Sequence, residues 1–271
     1  MQLSRDAASY IAPRRPGTPF DRLGALQEAL RTTAGATHLA PVQRPRRILY
    51  VGAGRSHLMR AVQDDFPDSF AAAACTDPVP DGERSDAGLA VRADLARGLP
   101  FRDEAFDYVH YRTIPFGARE QDRARQVDEL VRVLAPRGWI EIVETEPTLE
   151  PLSPSTERLL RHIWRLLEAG PDAGAAPDPP ADLLRMRGLL DVEARRYELP
   201  IGSWGGAVGN AMLSNFRAVV GTVAPAMEVR LGIPTLETLE LVARSTEEIE
   251  QGRTVAPLWF VWGRRPAART D

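Results

Sequence analysis

Two glycines and two aspartates have the residue types and spacing that most directly point to a ligand. In ILYVGAGRSHL, residues 48–58, an apolar strand from Ile48 to Val51 meets Gly52-Ala53-Gly54, and His57-Leu58-Met59 opens an amphipathic helix. Glycines at such a junction let a ligand approach the backbone and leave the helix's first N–H groups free to face it. The same turn also serves as a plain strand-to-helix connection. Position 57 is His, so the spacing does not match the dinucleotide pattern GxGxxG, which disfavours a dehydrogenase. Asp77 closes the next strand, where an acid can accept hydrogen bonds from both hydroxyls of a ribose. Asp94 closes the third strand, a position beside an adenine amino group. Both aspartates also read as turn or helix caps, but three ligand-facing features at successive strand ends weigh more together than singly.

Other side chains could act on a substrate. His110, near the end of a fourth strand AFDYVHYR (105–112), titrates near neutrality and is the candidate general base. Its alternative is a structural histidine turned back into the sheet. Glu144, at the end of a fifth strand, either orients a substrate or is a buried partner for Arg112 or Arg137. His162 and Trp164 could line a lid, although Leu159, Ile163, Leu166 and Leu167 on that helix read as core. His38 and His57 have no evident partner, and no two-His-plus-acid spacing for a metal stands out.

Composition excludes several classes. All 34 basic residues are arginine, which removes a Schiff-base lysine and a P-loop GK[ST]. Cys75 is the single cysteine, so no intramolecular disulfide and no cysteine zinc cluster can form. A net charge of −3 gives no footprint for nucleic acid or membrane surface. With no apolar signal core and no run approaching a membrane span, the expectation is a soluble cytoplasmic protein. Abundant Ala, Arg, Gly and Pro point to a GC-rich, bacterial genome.

These residues need a scaffold, and the chain reads as one. Residues 1–20, with Pro13, Pro16 and Pro19, form an arm, and Asp21–Thr33 carries Leu23, Leu26 and Leu30 at helical spacing. Strands are expected at 48–51, 70–77, 89–95, 105–112 and 137–147, with an amphipathic helix over 122–136. Alternating strands and helices argue for an α/β, doubly wound, parallel sheet. Further on come a helix over 154–170, a Pro/Gly/Ala loop over 170–182, helices at 206–222 and 235–251, and late strands at 189–200 and 255–266. The division is an arm and helix (1–40), a cofactor-binding core (41–150), a helical insertion or lid (151–188), and the rest of the core with edge strands (189–271).

Several segments together carry a resemblance. HLAPVQRPRRILYVGAG, TDPVP, LPFRDEAFDYVHYR and ELVRVLAPRGWIEIVE, with Pro200-Ile201-Gly202-Ser203-Trp204 further on, resemble class I S-adenosylmethionine-dependent methyltransferases. The subgroup most similar is the LaeA-like and related small-molecule enzymes. The resemblance covers 38–147 well and 187–266 loosely. It implies a seven-stranded, mostly parallel Rossmann-like sheet with the last strand antiparallel, and S-adenosyl-L-methionine as cofactor. Gly52, Ala53 and Gly54 would pass under its methionine part, Asp77 would bind the ribose, and Asp94 with the adjoining Leu95 the adenine. His110, Tyr111 and Arg112 would lie near the sulfonium, and Arg22 would meet the methionyl carboxylate. The family usually has an acid at position 50 and a glycine at 56, where this chain has Tyr50 and Ser56. PRGW also replaces PGGW, through Arg137.

The expected function is methyl transfer, on oxygen, to a small apolar natural product in secondary metabolism or antibiotic biosynthesis. The insert 150–188 and helix 206–222, with Met212, Phe216 and Trp204 nearby, would form an apolar cover, and the chain would act as monomer or homodimer. The alternative keeps the fold without methyl transfer, as a cyclase, pericyclase or isomerase. A regulatory binding partner is a third reading, which no charge patch supports.

Overall fold

The computed structural model describes residues 22–52, 64–75, 84–85, 88–113, 120–146, 148–166 and 180–268. Their strands are β1 (Arg47–Val51), β2 (Phe70–Cys75), β3 (Arg84–Ser85), β4 (Gly88–Arg92), β5 (Phe106–Thr113), β6 (Leu134–Thr145), β7 (Leu190–Pro200) and β8 (Val255–Arg264). The helices are α1 (Arg22–Ala34), α2 (Glu120–Val133), α3 (Pro154–Leu166), α4 (Pro180–Met186), α5 (Gly206–Leu231) and α6 (Thr235–Gly252). One sheet runs in the order β3-β4-β2-β1-β5-β6-β8-β7. Its seven longer strands are parallel except β8, which lies antiparallel between β6 and β7, and the two-residue β3 adds an antiparallel tip. This is the expected doubly wound sheet with one further short strand.

The strand sequences explain the layering. β2 is alanine-rich, a poor strand former alone, yet Ala71 to Ala74 are all buried between β1 and β4. Burial on both faces overrides propensity here. On one face Ile48, Tyr50 and Tyr108 pack with α1 and α5 residues such as Ala29, Leu30, Met212 and Leu213. On the other, Leu49, Val51, Val109, Ile140 and Ile142 pack with Val127 and Leu130 of α2 and Leu183 and Leu184 of α4. A third cluster joins Leu159 and Ile163 of α3 to Val220, Val223 and Met227 of α5 and Leu241 of α6.

Among the boundaries that differ from expectation, three have a clear physical cause. α2 ends at Val133 because Leu134 already belongs to β6. α5 continues through Pro225 to Leu231, since Val223, Ala224, Ala226 and Met227 are buried on either side of the proline. α4 starts at Pro180, inside the expected loop; a proline is accommodated in the first helical turn because its missing N–H has no partner there. The expected insertion 151–188 therefore parts in two: α3 joins α5 and α6, whereas α4 packs on the opposite face of the sheet.

Candidate active site

The parallel strands bring their carboxyl ends to one edge, where open α/β sheets bind ligands. Gly52, directly after β1, has φ 86°, and a Cβ there would overlap the carbonyl oxygen of Arg112 at the tip of β5. The turn thus needs glycine for its own backbone crossing. Gly52 also donates to the Ala74 carbonyl at 3.1 Å, which ties the tips of β1 and β2. Asp94 follows β4 with its carboxyl 41% exposed and 3.9 Å from Arg97 Nε, while Leu95 is buried at the start of a short 3-10 turn. A part-exposed carboxylate and a glycine tip on strands separated only by β2 fit a nucleoside-bearing group. Ala53, Gly54, Ser56, His57 and Asp77 lie outside the described residues, and of Arg22 only the backbone is described.

Arg112 and Tyr111 point to opposite faces. The Arg112 guanidinium is buried and donates from Nη1 to Gln27 Oε1 of α1 at 2.6 Å. The Tyr111 hydroxyl donates to Gln126 Oε1 of α2 at 3.0 Å. Gln27 was not legible as a site residue, because an α1 glutamine gives no local sign that it meets a residue 85 positions away.

His110 is 1% exposed and stands in a cross-strand row with Tyr50 of β1 and Glu141 of β6. Its Nε2 lies 4.0 Å from Glu141 Oε1. Burial, then the nearby Arg112 and His38 charges, lower its pKa to about 3, against a smaller pull from the backbone of His110 and Thr37. The imidazole is neutral and enclosed within the sheet face, the alternative its strand position allowed. Burial raises the Tyr50 hydroxyl well above its ordinary pKa, so position 50 contributes bulk and no charge.

Glu144 is committed to Arg123 of α2. The carboxylate is buried, accepts from Arg123 Nη1 through Oε1, and from Nη2 at 3.2 Å through Oε2. Arg123 reaches it because Glu144 shares the α2 face with Tyr111 and Ile142. The next residues serve another space. Thr145, Glu146 and Thr148 line a cavity of about 110 Å³ bounded by Leu160 and Ile163 of α3 and Met212 and Phe216 of α5. Glu146 Oε1 accepts from Trp259 Nε1 at 2.6 Å. Neither His110 nor Glu144 lines this cavity. Trp204, expected in the apolar cover, is 40% exposed, donates from Nε1 to the Ile201 carbonyl and does not line the cavity. Among the described residues no group of three His, Cys, Asp or Glu is placed to hold a metal.

The comparisons fall on the same frame. Residues 49–142, the span from β1 to β6, match the family model described as a methyltransferase domain. That match covers about a third of the chain, and together with the relatives below it supports a class I S-adenosylmethionine-dependent methyltransferase. Among methyltransferase relatives, a demethylmenaquinone methyltransferase of Thermus thermophilus is 35% identical over 147 residues, 51% of this chain and 64% of that protein. Another so named, from Streptomyces avermitilis, is 38% identical over 98 residues, 34% of this chain and 41% of that one. The chain thus spans under two thirds of the length of both. Methyltransferase str2 of Strobilurus tenacellus is 25% identical over 189 residues, 66% of this chain and 67% of its own. The fold is shared with a putative sarcosine dimethylglycine methyltransferase of Galdieria sulphuraria, with TM-score 0.51, 14% identity, and 91% of this chain and 85% of that one covered. It is also shared with phosphoethanolamine N-methyltransferase 2 of Haemonchus contortus, with TM-score 0.51, 14% identity, and 96% and 57% covered.

Proposed function

We propose that this protein transfers a methyl group from S-adenosyl-L-methionine to a hydroxyl of a small, largely apolar acceptor. The observation that carries the acceptor class is the cavity between α3 and α5 at the carboxyl edge, apolar on its helical walls apart from Asn215 and polar at Thr145, Glu146 and Thr148. Pockets of this make-up bury an apolar body and fix its orientation with a few polar groups. The acceptor named for two relatives, demethylmenaquinone, supports a small-molecule substrate. The Haemonchus enzyme that shares the fold was solved with S-adenosylhomocysteine, which supports the cofactor.

The bound cofactor supplies an electrophilic methyl group on a sulfonium. The chain's part is positioning. Asp94 accepts from the nucleoside side of the ligand, and Gly52 keeps the β1 tip free of side chain. The apolar walls from α3 and α5 exclude water, which favours an in-line displacement held in one geometry. Glu146, steadied by Trp259, orients the acceptor hydroxyl and is the carboxylate placed to take its proton.

Calorimetry with S-adenosylmethionine, followed by methyl transfer to a panel of hydroxylated aromatic and polyketide acceptors, tests the reading. Binding with turnover, lost for Glu146→Gln and weakened for Asp94→Ala, is expected. Binding without turnover on any hydroxylated acceptor would overturn the methyl-transfer reading, and no binding would overturn the cofactor assignment.

A further inference from the structure

Glu141 is fully enclosed on β6 and takes no part in the proposed reaction. A carboxylate buried among strands is costly unless its oxygens are satisfied. Here they are satisfied by the backbone of a distant segment. The Leu39 N–H donates to Oε2 at 2.9 Å and to Oε1 at 3.2 Å, and the Ala40 N–H donates to Oε2 at 2.5 Å. Both residues belong to the connector that joins α1 to β1, and Ala40 is itself buried. Successive N–H groups on one carboxyl form a clamp, which becomes charge-assisted and stronger than neutral hydrogen bonds as the group ionises above about pH 7.

The clamp lies on the face that α1 covers. From there Gln27 of α1 reaches the Arg112 guanidinium at 2.6 Å. The Arg112 backbone in turn abuts Gly52, the first residue of the glycine turn. Contacts therefore run without a gap from Glu141 through the connector and α1 to the tips of β5 and β1. We propose that Glu141 is a positioning residue that pins the connector at Leu39 and Ala40 and so holds α1, with Gln27 on Arg112, against the cofactor edge. The proposal rests on the reading of that edge as the cofactor site.

The test uses the full chain with Glu141→Gln and Gln27→Leu, and S-adenosylhomocysteine as calorimetric probe. Amide hydrogen exchange is followed at Leu39, Ala40 and along α1. Glu141→Gln puts an NH₂ group where two N–H donors converge, so exchange should rise at 39 and 40 and through α1 while the β1, β5 and β6 amides stay protected. Probe affinity and the KM for S-adenosylmethionine should each worsen about tenfold, the loss of one charge-assisted bond, with kcat within about twofold. Gln27→Leu should lower affinity similarly while 39 and 40 stay protected. Wild-type exchange at 39 and 40 in Glu141→Gln overturns the proposal. If Glu141→Gln does not fold, unchanged probe affinity in Gln27→Leu overturns it. Failure of the wild-type chain to bind the probe would sink the cofactor reading, while the exchange result still decides whether Glu141 pins α1.

Discussion

Gly52 and Arg112 meet backbone to backbone: a Cβ on Gly52 would overlap the Arg112 carbonyl oxygen, and the glycine's φ of 86° lies in the left-handed region. Both facts penalise any side chain, one by clash and one by conformation. Gly52→Ala should therefore cost at least about 2 kcal/mol of folding stability, since left-handed φ alone costs roughly 1–2 kcal/mol for an L-residue. Urea denaturation would measure it, and a loss under about 0.5 kcal/mol would contradict the crossing.

Arg137 offers the reverse experiment. The resemblance places glycine at this position, and the structure shows why: Arg137 sits at φ 62° near the start of β6, where its N–H donates to the Arg265 carbonyl. Its neighbour Gly138 has no room either, with Ala135 and Asp107 carbonyl oxygens 2.8 and 2.9 Å from a would-be Cβ. Arg137→Gly should raise stability by up to about 1 kcal/mol, relief of left-handed strain less the added unfolded-state freedom. A lower thermal midpoint would refute this account.

Which parts of this architecture the sequence displays follows from range. Alternating apolar strands and helices at short spacing are local, so the sheet and the α2 stripe are readable, while the antiparallel last strand comes only with the resemblance. The position of Asp94, just past the end of β4, is readable for the same reason. α4 is not, because PDPPAD reads as loop until Leu183 and Leu184 find the core. Nor is the commitment of Glu144, whose Arg123 partner is 21 residues away on another element. Glu141 did leave a sign, an acid inside the apolar run WIEIV, but its partners are backbone N–H groups about a hundred residues back, which no side-chain pattern records.

The Arg123–Glu144 pair predicts a stability effect separable from activity. Breaking a buried pair by removing one partner costs about 3–5 kcal/mol, whereas removing both can be neutral. Arg123→Leu or Glu144→Leu should each destabilise by that order, and the double variant should recover most of it in a denaturation cycle. In variants that remain folded, kcat should change less than about threefold, because this carboxylate is turned to α2. A hundredfold drop in kcat for Glu144→Gln would restore it to the reaction.

His110 and Glu141 titrate in opposite senses. Burial raises the Glu141 pKa from 4.5 to about 7, so between these values the folded state keeps a proton the unfolded state has lost, and stability falls as pH rises. The His110 pKa is lowered from 6.5 to about 3, so between these values the unfolded state holds the extra proton, and stability falls as pH drops. From about pH 4.5 to 6.5 the two slopes, roughly 1.4 kcal/mol per pH unit each, offset one another. Glu141→Gln should leave stability falling on acidification below pH 6.5. His110→Asn should leave it falling on alkalinisation from 4.5 to 7. Chemical denaturation across that range checks both, and a pH profile of unchanged shape in either variant would remove the pair from the titration.

Met212 and Phe216 line the cavity between α3 and α5, and their size should set the acceptor. Met212 is buried in the sheet-side core and also faces the cavity, so Met212→Trp fills space the acceptor needs. The acceptor KM should rise at least tenfold while S-adenosylmethionine binding is unchanged, because Asp94 and Gly52 lie at strand tips that do not line this cavity. Phe216→Ala removes one aromatic wall and should shift preference toward bulkier acceptors, with a loss of about 3 kcal/mol in stability from the missing ring. A single methylene in an apolar pocket discriminates by roughly 10- to 200-fold, so changes of this size are within what packing can produce. Steady-state kinetics over a graded series of acceptors would read both. If Met212→Trp left every acceptor KM unchanged, the methyl acceptor would have to sit elsewhere along the carboxyl edge.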